Sequence, residues 1–89
     1  MGNNISFTEQ AFEEYLAWQC QDKKTLRKIN ALLREISRTP FEGSGKPEPL
    51  RGNLSGFWSR RIDGTNRLVY AVVDGRVEIY QCKGHYSDC

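Results

Sequence analysis

Phe57-Trp58-Ser59-Arg60-Arg61-Ile62, Arg67-Leu68-Val69-Tyr70-Ala71-Val72-Val73 and Arg76-Val77-Glu78-Ile79-Tyr80-Gln81-Cys82-Lys83 are three closely spaced runs rich in aromatic and β-branched residues. Such side chains fit a pleated, half-buried surface, so each run reads as a strand. Asp63-Gly64-Thr65-Asn66 separates the first two, and Asp74-Gly75, a strong two-residue hairpin signal, separates the second from the third. The pattern predicts an antiparallel meander over 57–62, 67–73 and 76–83. Alternation puts Leu68, Tyr70 and Val72 on one face of the middle strand and Val77 and Ile79 on one face of the third, so a second layer must cover that face.

The covering layer lies upstream. Residues 5–7 read as a first or edge strand, and Ser6 or Thr8 can cap a helix over 9–21 in which Phe12, Tyr15 and Leu16 form the apolar side, opposite Glu13 and Glu14. Asp22 can cap a second helix with Leu26, Ile29, Leu33 and Ile36 on one face and Lys23, Arg27, Lys28 and Arg34 outward. Thr39-Pro40 should end it, because the residue before proline is driven out of helical geometry. The fold class expected is α+β: an N-terminal strand and an αα-hairpin packed on a twisted antiparallel sheet, forming a single domain over 1–89. Between helix and meander, residues 40–56 hold three prolines and four glycines (Pro40, Pro47, Pro49; Gly43, Gly45, Gly52, Gly56) and read as a long loop of the kind that usually carries function.

Eighty-nine residues allow one small core and no separate cofactor domain, so no cofactor is expected. A net charge of +2 does not by itself announce a nucleic-acid binder. Its distribution is more informative: Lys46, Arg51, Arg60, Arg61 and Arg67 stand against only Glu48 and Asp63 between positions 46 and 67. No signal peptide or membrane-length apolar run is visible, which points to the cytoplasm and away from a membrane. Cys20, Cys82 and Cys89 have no framework spacing and are expected to be free thiols. Cys82, His85 and Cys89 could be mistaken for a metal set, but structural zinc sites draw ligand pairs from two segments, so no metal site is expected. Ser55 and Ser59 have no visible His and Asp partners for nucleophilic catalysis.

Metal-free phosphodiester cleavage needs a base for the attacking 2′-hydroxyl, an acid for the leaving 5′-oxygen, and positive charge on the phosphorane. The chain holds candidates for each. Pro47 and Pro49 limit where Glu48 can point. Arg61 and Arg67 flank the first turn of the meander and should meet across it, with Arg60 on the opposite side; two facing guanidiniums call for an anion such as phosphate. The alternative is that each pairs with a nearby acid, Asp63 or Glu48, or is solvated. His85 is the one imidazole, with an unperturbed pKa of ~6.5 suited to proton donation. Tyr86 can stack on a base or anchor the C-terminus. Lys46 adds a mobile charge.

Taken together, Arg38-Thr39-Pro40-Phe41-Glu42-Gly43, Gly45-Lys46-Pro47-Glu48-Pro49-Leu50, Asn53-Leu54-Ser55-Gly56-Phe57-Trp58-Ser59-Arg60-Arg61-Ile62, Arg67-Leu68-Val69-Tyr70-Ala71-Val72 and His85-Tyr86 closely resemble the YoeB/Txe toxins of the RelE superfamily, over nearly the whole chain. The resemblance implies a small bacterial endoribonuclease of a toxin–antitoxin operon that docks in the A site of the 70S ribosome and cuts mRNA without a metal. It assigns Glu48 as general base, Arg67 as the transition-state cation and His85 as general acid, with Lys46, Arg61 and Tyr86 binding substrate. It also implies a homodimer and a YefM/Axe-like antitoxin whose C-terminal part covers the site; the complex would touch operator DNA through the antitoxin and repress its own operon. Ser87-Asp88-Cys89 extend past the usual His-Tyr ending, and the turn at 63–66 departs from better-known members. The competing class is a non-catalytic RNA- or antitoxin-binding module acting as co-repressor, and a third is a pure antitoxin-pairing scaffold.

Overall fold

The computed structural model describes residues 3–84. β1 (Asn4–Phe7) leads into α1 (Glu9–Gln21) and α2 (Lys23–Arg38), after which β2 (Glu48–Pro49), a single 3-10 turn (Gly52–Leu54), β3 (Trp58–Arg61), β4 (Arg67–Val73) and β5 (Arg76–Gln81) complete the order. The expected helices stand at the expected places. Thr8 caps α1, its hydroxyl accepting from the Ala11 N–H at 3.1 Å. Asp22 caps α2 through the Lys24 and Thr25 amides and the Thr25 hydroxyl, and these bonds, led by the hydroxyl, hold its carboxyl below the usual range. Thr39 ends α2 ahead of Pro40, as the proline requires.

The sheet runs β1-β5-β4-β3-β2. β3, β4 and β5 form the meander, and the Asp74-Gly75 turn has positive φ at both residues (50° and 77°), the geometry of a type I′ hairpin. Two features depart from the sequence reading. β1 pairs in parallel with β5, so the sheet is mixed rather than antiparallel throughout; the two helices and strands β2 to β4 lie between them in the chain, and the β4 to β5 hairpin brings β5 alongside β1. The 40–56 segment is not all loop either, since Glu48 and Pro49 add a short outer strand to β3.

The helices cover the face that carries Leu68, Tyr70, Val77 and Ile79, all fully buried, with Ile29, Leu32 and Ile36 from α2 against it. α1 corrects its expected apolar side. Phe12 and Leu16 are exposed, and the buried stripe is Ala11 and Trp18 with Tyr15 half-buried, a spacing of four then three in which the small Ala11 lets the helix sit close. Glu14, expected in solvent, turns inward and accepts the Cys82 N–H at 2.8 Å, while Trp18 Nε1 donates to the Cys82 carbonyl at 2.9 Å. These two bonds fasten the end of β5 to α1. Burial pushes the Cys82 thiol up to about 12, with the Glu14 charge adding to it, so this sulfur is neutral packing material. Cys20 and Cys82 are free, and Cys89 lies outside the described residues.

Arg60 is the unusual member of this core, a charged side chain with no exposure, paired with Glu35 of α2. Removing one partner of a buried pair typically costs ~3–5 kcal/mol because the other charge is stranded. Glu35 retains 34% exposure, so water reaches its side of the pair and the expected loss for Glu35→Ala in urea unfolding is smaller, about 2–3 kcal/mol. The Ser44 amide, then its hydroxyl and Arg60, hold the Glu35 carboxyl below its ordinary 4.5 despite opposing desolvation. A depressed folded-state value means stability that is complete above pH ~4.5 and lost as pH falls through the folded value. Glu35→Gln should therefore flatten part of the acid limb of the stability profile, measured as urea midpoints from pH 6 to pH 2.5.

Candidate active site

Register decides which charged residues share a face. Glu48 pairs with Ser59, Ser59 with Val69, and Arg61 with Arg67. Side chains at paired positions project to the same side, and Arg60 and Leu68, one position away, enter the helix-covered core. Glu48, Arg61 and Arg67 therefore stand together on the face turned away from the helices. Cross-strand spacing sets Arg61 and Arg67 about 4.5–5.5 Å apart at Cβ, with Glu48 on the diagonal roughly 7–8 Å from Arg61. The expected meeting of Arg61 with Arg67 and the opposite orientation of Arg60 are both present.

Each member is positioned by local backbone chemistry. Pro49 is tolerated because β2 is an outer strand with little ladder to disturb. Lys46 is exposed and adopts φ 51°, an uncommon conformation for a side-chain-bearing residue, immediately after Gly45 at φ 80°. Gly45 has to be glycine on a second ground, since a Cβ there would lie 3.0 Å from the Arg61 carbonyl. Its own carbonyl accepts the Arg61 N–H at 2.7 Å, tying the approach to Lys46 and Glu48 directly onto β3.

Arg67 is half-buried. Its Nη1 donates to the carbonyls of Asp63 and Asn66 at 2.7 and 3.1 Å, which fixes one edge of the guanidinium against the turn. The Asp63 carboxylate is committed elsewhere, to the Thr65 and Asn66 amides and the Asn66 side chain. Burial pushes its pKa up, but these bonds prevail and hold it below the usual range. Asp63 thus shapes the turn instead of neutralising Arg67. The turn also reaches the chain's end: Gly84 N–H donates to Asn66 Oδ1 at 2.8 Å and the Gly84 carbonyl accepts Arg67 N–H at 2.9 Å. His85 and Tyr86, the two remaining candidates, lie outside the described residues, one and two peptide bonds beyond this clasp.

The same face carries groups that the sequence reading passed over. Phe57 and Tyr80 meet edge to face at 4.7 Å, and Tyr80 donates to Glu78, which also pairs with Arg76. The Tyr80 bond leads, ahead of Arg76, in holding the Glu78 carboxyl low, and Glu78 in turn raises the phenol. Alternation against Val77 and Ile79 was the available signal for this placement. Arg60, which the sequence placed in the basic run but on the side opposite Arg61, is buried and paired with Glu35. An Arg60 side chain within the core cannot contribute to the positive surface at 46–67. Among the described residues, no helix is long and apolar enough to cross a membrane.

Comparison with known proteins defines the class first. Solved structures that share this architecture include bacterial toxins: a YoeB dimer from Staphylococcus aureus superposes with TM-score 0.88 at 50% identity, covering 97% of this chain and 100% of that one. A YoeB–YefM complex from the same species gives 0.86 at 49%, with 97% and 100% coverage. Toxin YoeB of Escherichia coli K12 is 55% identical over 82 residues, 92% of this chain and 98% of that relative. With residues 7–86 matching the family model, the chain belongs to the YoeB-like toxins of bacterial type II toxin–antitoxin systems.

The clasp generates a measurable expectation. Asn66→Ala removes the acceptor of the Gly84 amide together with the Nδ2 bonds to Asp63; loss of the Gly84 bond alone, net ~1 kcal/mol, should make that amide exchange with solvent at least about fivefold faster while the Leu68 to Val72 amides keep their protection. Unchanged exchange at Gly84 would show that Asn66 does not hold this segment.

Proposed function

We propose that this toxin is an endoribonuclease that cuts mRNA in the A site of the 70S ribosome by metal-independent acid–base transesterification, and so arrests translation. Glu48 takes the proton from a ribose 2′-hydroxyl; the 2′-oxygen attacks the adjacent phosphorus. Arg67 stabilises the dianionic phosphorane, helped by Arg61 and Lys46 on the flanking phosphates. As the bond from phosphorus to the 5′-oxygen breaks, His85 delivers a proton to that oxygen. The products are a 2′,3′-cyclic phosphate and a 5′-hydroxyl, and Tyr86 stacks on a base beside the cut.

The observation that carries this reading is the common sheet face of Glu48, Arg61 and Arg67, together with the Gly84 clasp that starts the tail at Arg67. An acid and two guanidiniums within one nucleotide's reach suit a phosphodiester. Family membership supports it further, and with it the proposal that the chain works in the cytoplasm as a homodimer neutralised by a YefM-like antitoxin, whose complex binds operator DNA and represses the operon.

The test is single-turnover cleavage on programmed ribosomes with mapping of the cut and its ends. Wild-type protein should leave a 2′,3′-cyclic phosphate in the A-site codon. His85→Ala, Arg67→Ala and Glu48→Gln should each bind ribosomes and antitoxin yet lose on the order of 10²- to 10⁴-fold in rate, the range for one proton-transfer role at His85 and Glu48 and for one charge-stabilising donor at Arg67. Wild-type cleavage by His85→Ala would remove the general-acid assignment, and growth arrest without any cleavage would favour the non-catalytic binding module.

A further inference from the structure

Glu48 stands on the weakest strand of the sheet. β2 has two paired residues, and Pro49 brings no N–H to the ladder. The Leu50 N–H bond to the Phe57 carbonyl at 2.9 Å holds β2 at its far end, and with so short a pairing the aim of Glu48 depends also on what secures the chain leading to it. That chain, residues 39–45, is secured from inside the core. Arg60 Nη2 donates to the carbonyls of Thr39 and Glu42 at 2.8 and 2.9 Å, and Nη1 to the Ser44 carbonyl at 3.2 Å and to the Glu35 carboxylate. Arg60 Nε donates to the Tyr70 hydroxyl at 3.2 Å, which itself donates to the Pro40 carbonyl at 2.6 Å. Glu35 closes the set by accepting the Ser44 amide and hydroxyl at 2.6 and 3.1 Å. A Cβ on Gly43 would run into that carboxylate, so the segment is packed against it without slack.

Resting on the reading of Glu48 as the base, we infer that Arg60, Tyr70 and Glu35 are positioning residues of the active site: they clamp residues 39–45 so that the chain enters Lys46 and Glu48 in one geometry. Arg60 touches no RNA, for it has no exposure and each of its three nitrogens already donates to protein. Adjacent residues of β3 thus serve one site from two sides. Arg61 offers its side chain to the open face and its N–H to Gly45, while Arg60 holds the preceding turn from within the core. A displacement near 1 Å at a reacting group costs about 100-fold in rate, so a loosened clamp should be felt in turnover before it is felt in binding.

The experiment uses full-length Tyr70→Phe, which keeps the ring and loses the hydroxyl, and Arg60→Lys, which keeps the charge and loses the fork. Each is made alone and combined with Glu48→Gln, and proteins matched for near-UV circular dichroism and antitoxin binding are compared in single-turnover cleavage on programmed ribosomes. The expected result is a rate loss of about 10- to 100-fold at unchanged half-saturating ribosome concentration, and little further loss when either change is added to Glu48→Gln, because the clamp acts through that carboxylate. If Arg60→Lys does not fold, Tyr70→Phe decides alone. Wild-type rates in the folded variants, or losses that multiply in full with that of Glu48→Gln, overturn the clamp. Wild-type cleavage by Glu48→Gln alone removes the base assignment and the clamp with it, so the two failures are told apart.

Discussion

The buried guanidinium of Arg60 is the constraint around which the rest of the structure is arranged. A charge without water must be met on every donor, and this one is met by a carboxylate, a phenol and three backbone carbonyls. Those carbonyls belong to a stretch with no regular hydrogen bonding of its own. The cation and the turn satisfy each other: the turn supplies backbone acceptors, and the cation supplies the order that a Gly- and Pro-rich stretch lacks. Glu35 brings α2 into the same knot, so helix, turn and sheet meet at one ionic point.

The two faces of the sheet then divide the labour. One is sealed by the helices over Leu68, Tyr70, Val77 and Ile79, and gives the rigidity that positioned side chains need. The other bears Glu48, Arg61 and Arg67 with the Phe57 and Tyr80 rings beside them. β3 belongs to both, because consecutive residues of a strand point in opposite directions. α1 reaches the open side indirectly, through the Glu14 and Trp18 bonds that fix Cys82 and so the last stretch before the Gly84 clasp.

Much of this was legible in residue order. The helix limits followed from Asp22, Thr39-Pro40 and the Ser6 or Thr8 pair, of which Thr8 is the cap, and their effects are local to a turn of backbone. The Arg61 and Arg67 pairing followed from the symmetry of a hairpin about its loop. Where the reading failed, the missing information was three-dimensional. Phe12 and Leu16 look like the buried side of α1 by size, yet the side that packs is set by where small Ala11 permits contact. Parallel pairing of β1 depends on how the two helices and the meander together bring β5 to its side, which period-two patterns do not encode.

Sequence by itself determined the element types, the capped helix ends, the I′ turn at Asp74-Gly75 and the alternation that separates Arg60 from Arg61. Each is settled by forces acting within a few residues of chain, so neighbours suffice to read them. Tertiary structure alone decided that Arg60 is a core anchor rather than a surface cation, that Glu48 sits on an outer strand beside Ser59, and that Gly84 is tied to Asn66 and Arg67. Those outcomes hang on desolvation and on hydrogen bonds between groups ten to twenty-five positions apart, as in Arg60 with Tyr70 and Glu35. A charge has the same letter in water and in a core, and only the folded surroundings distinguish the two.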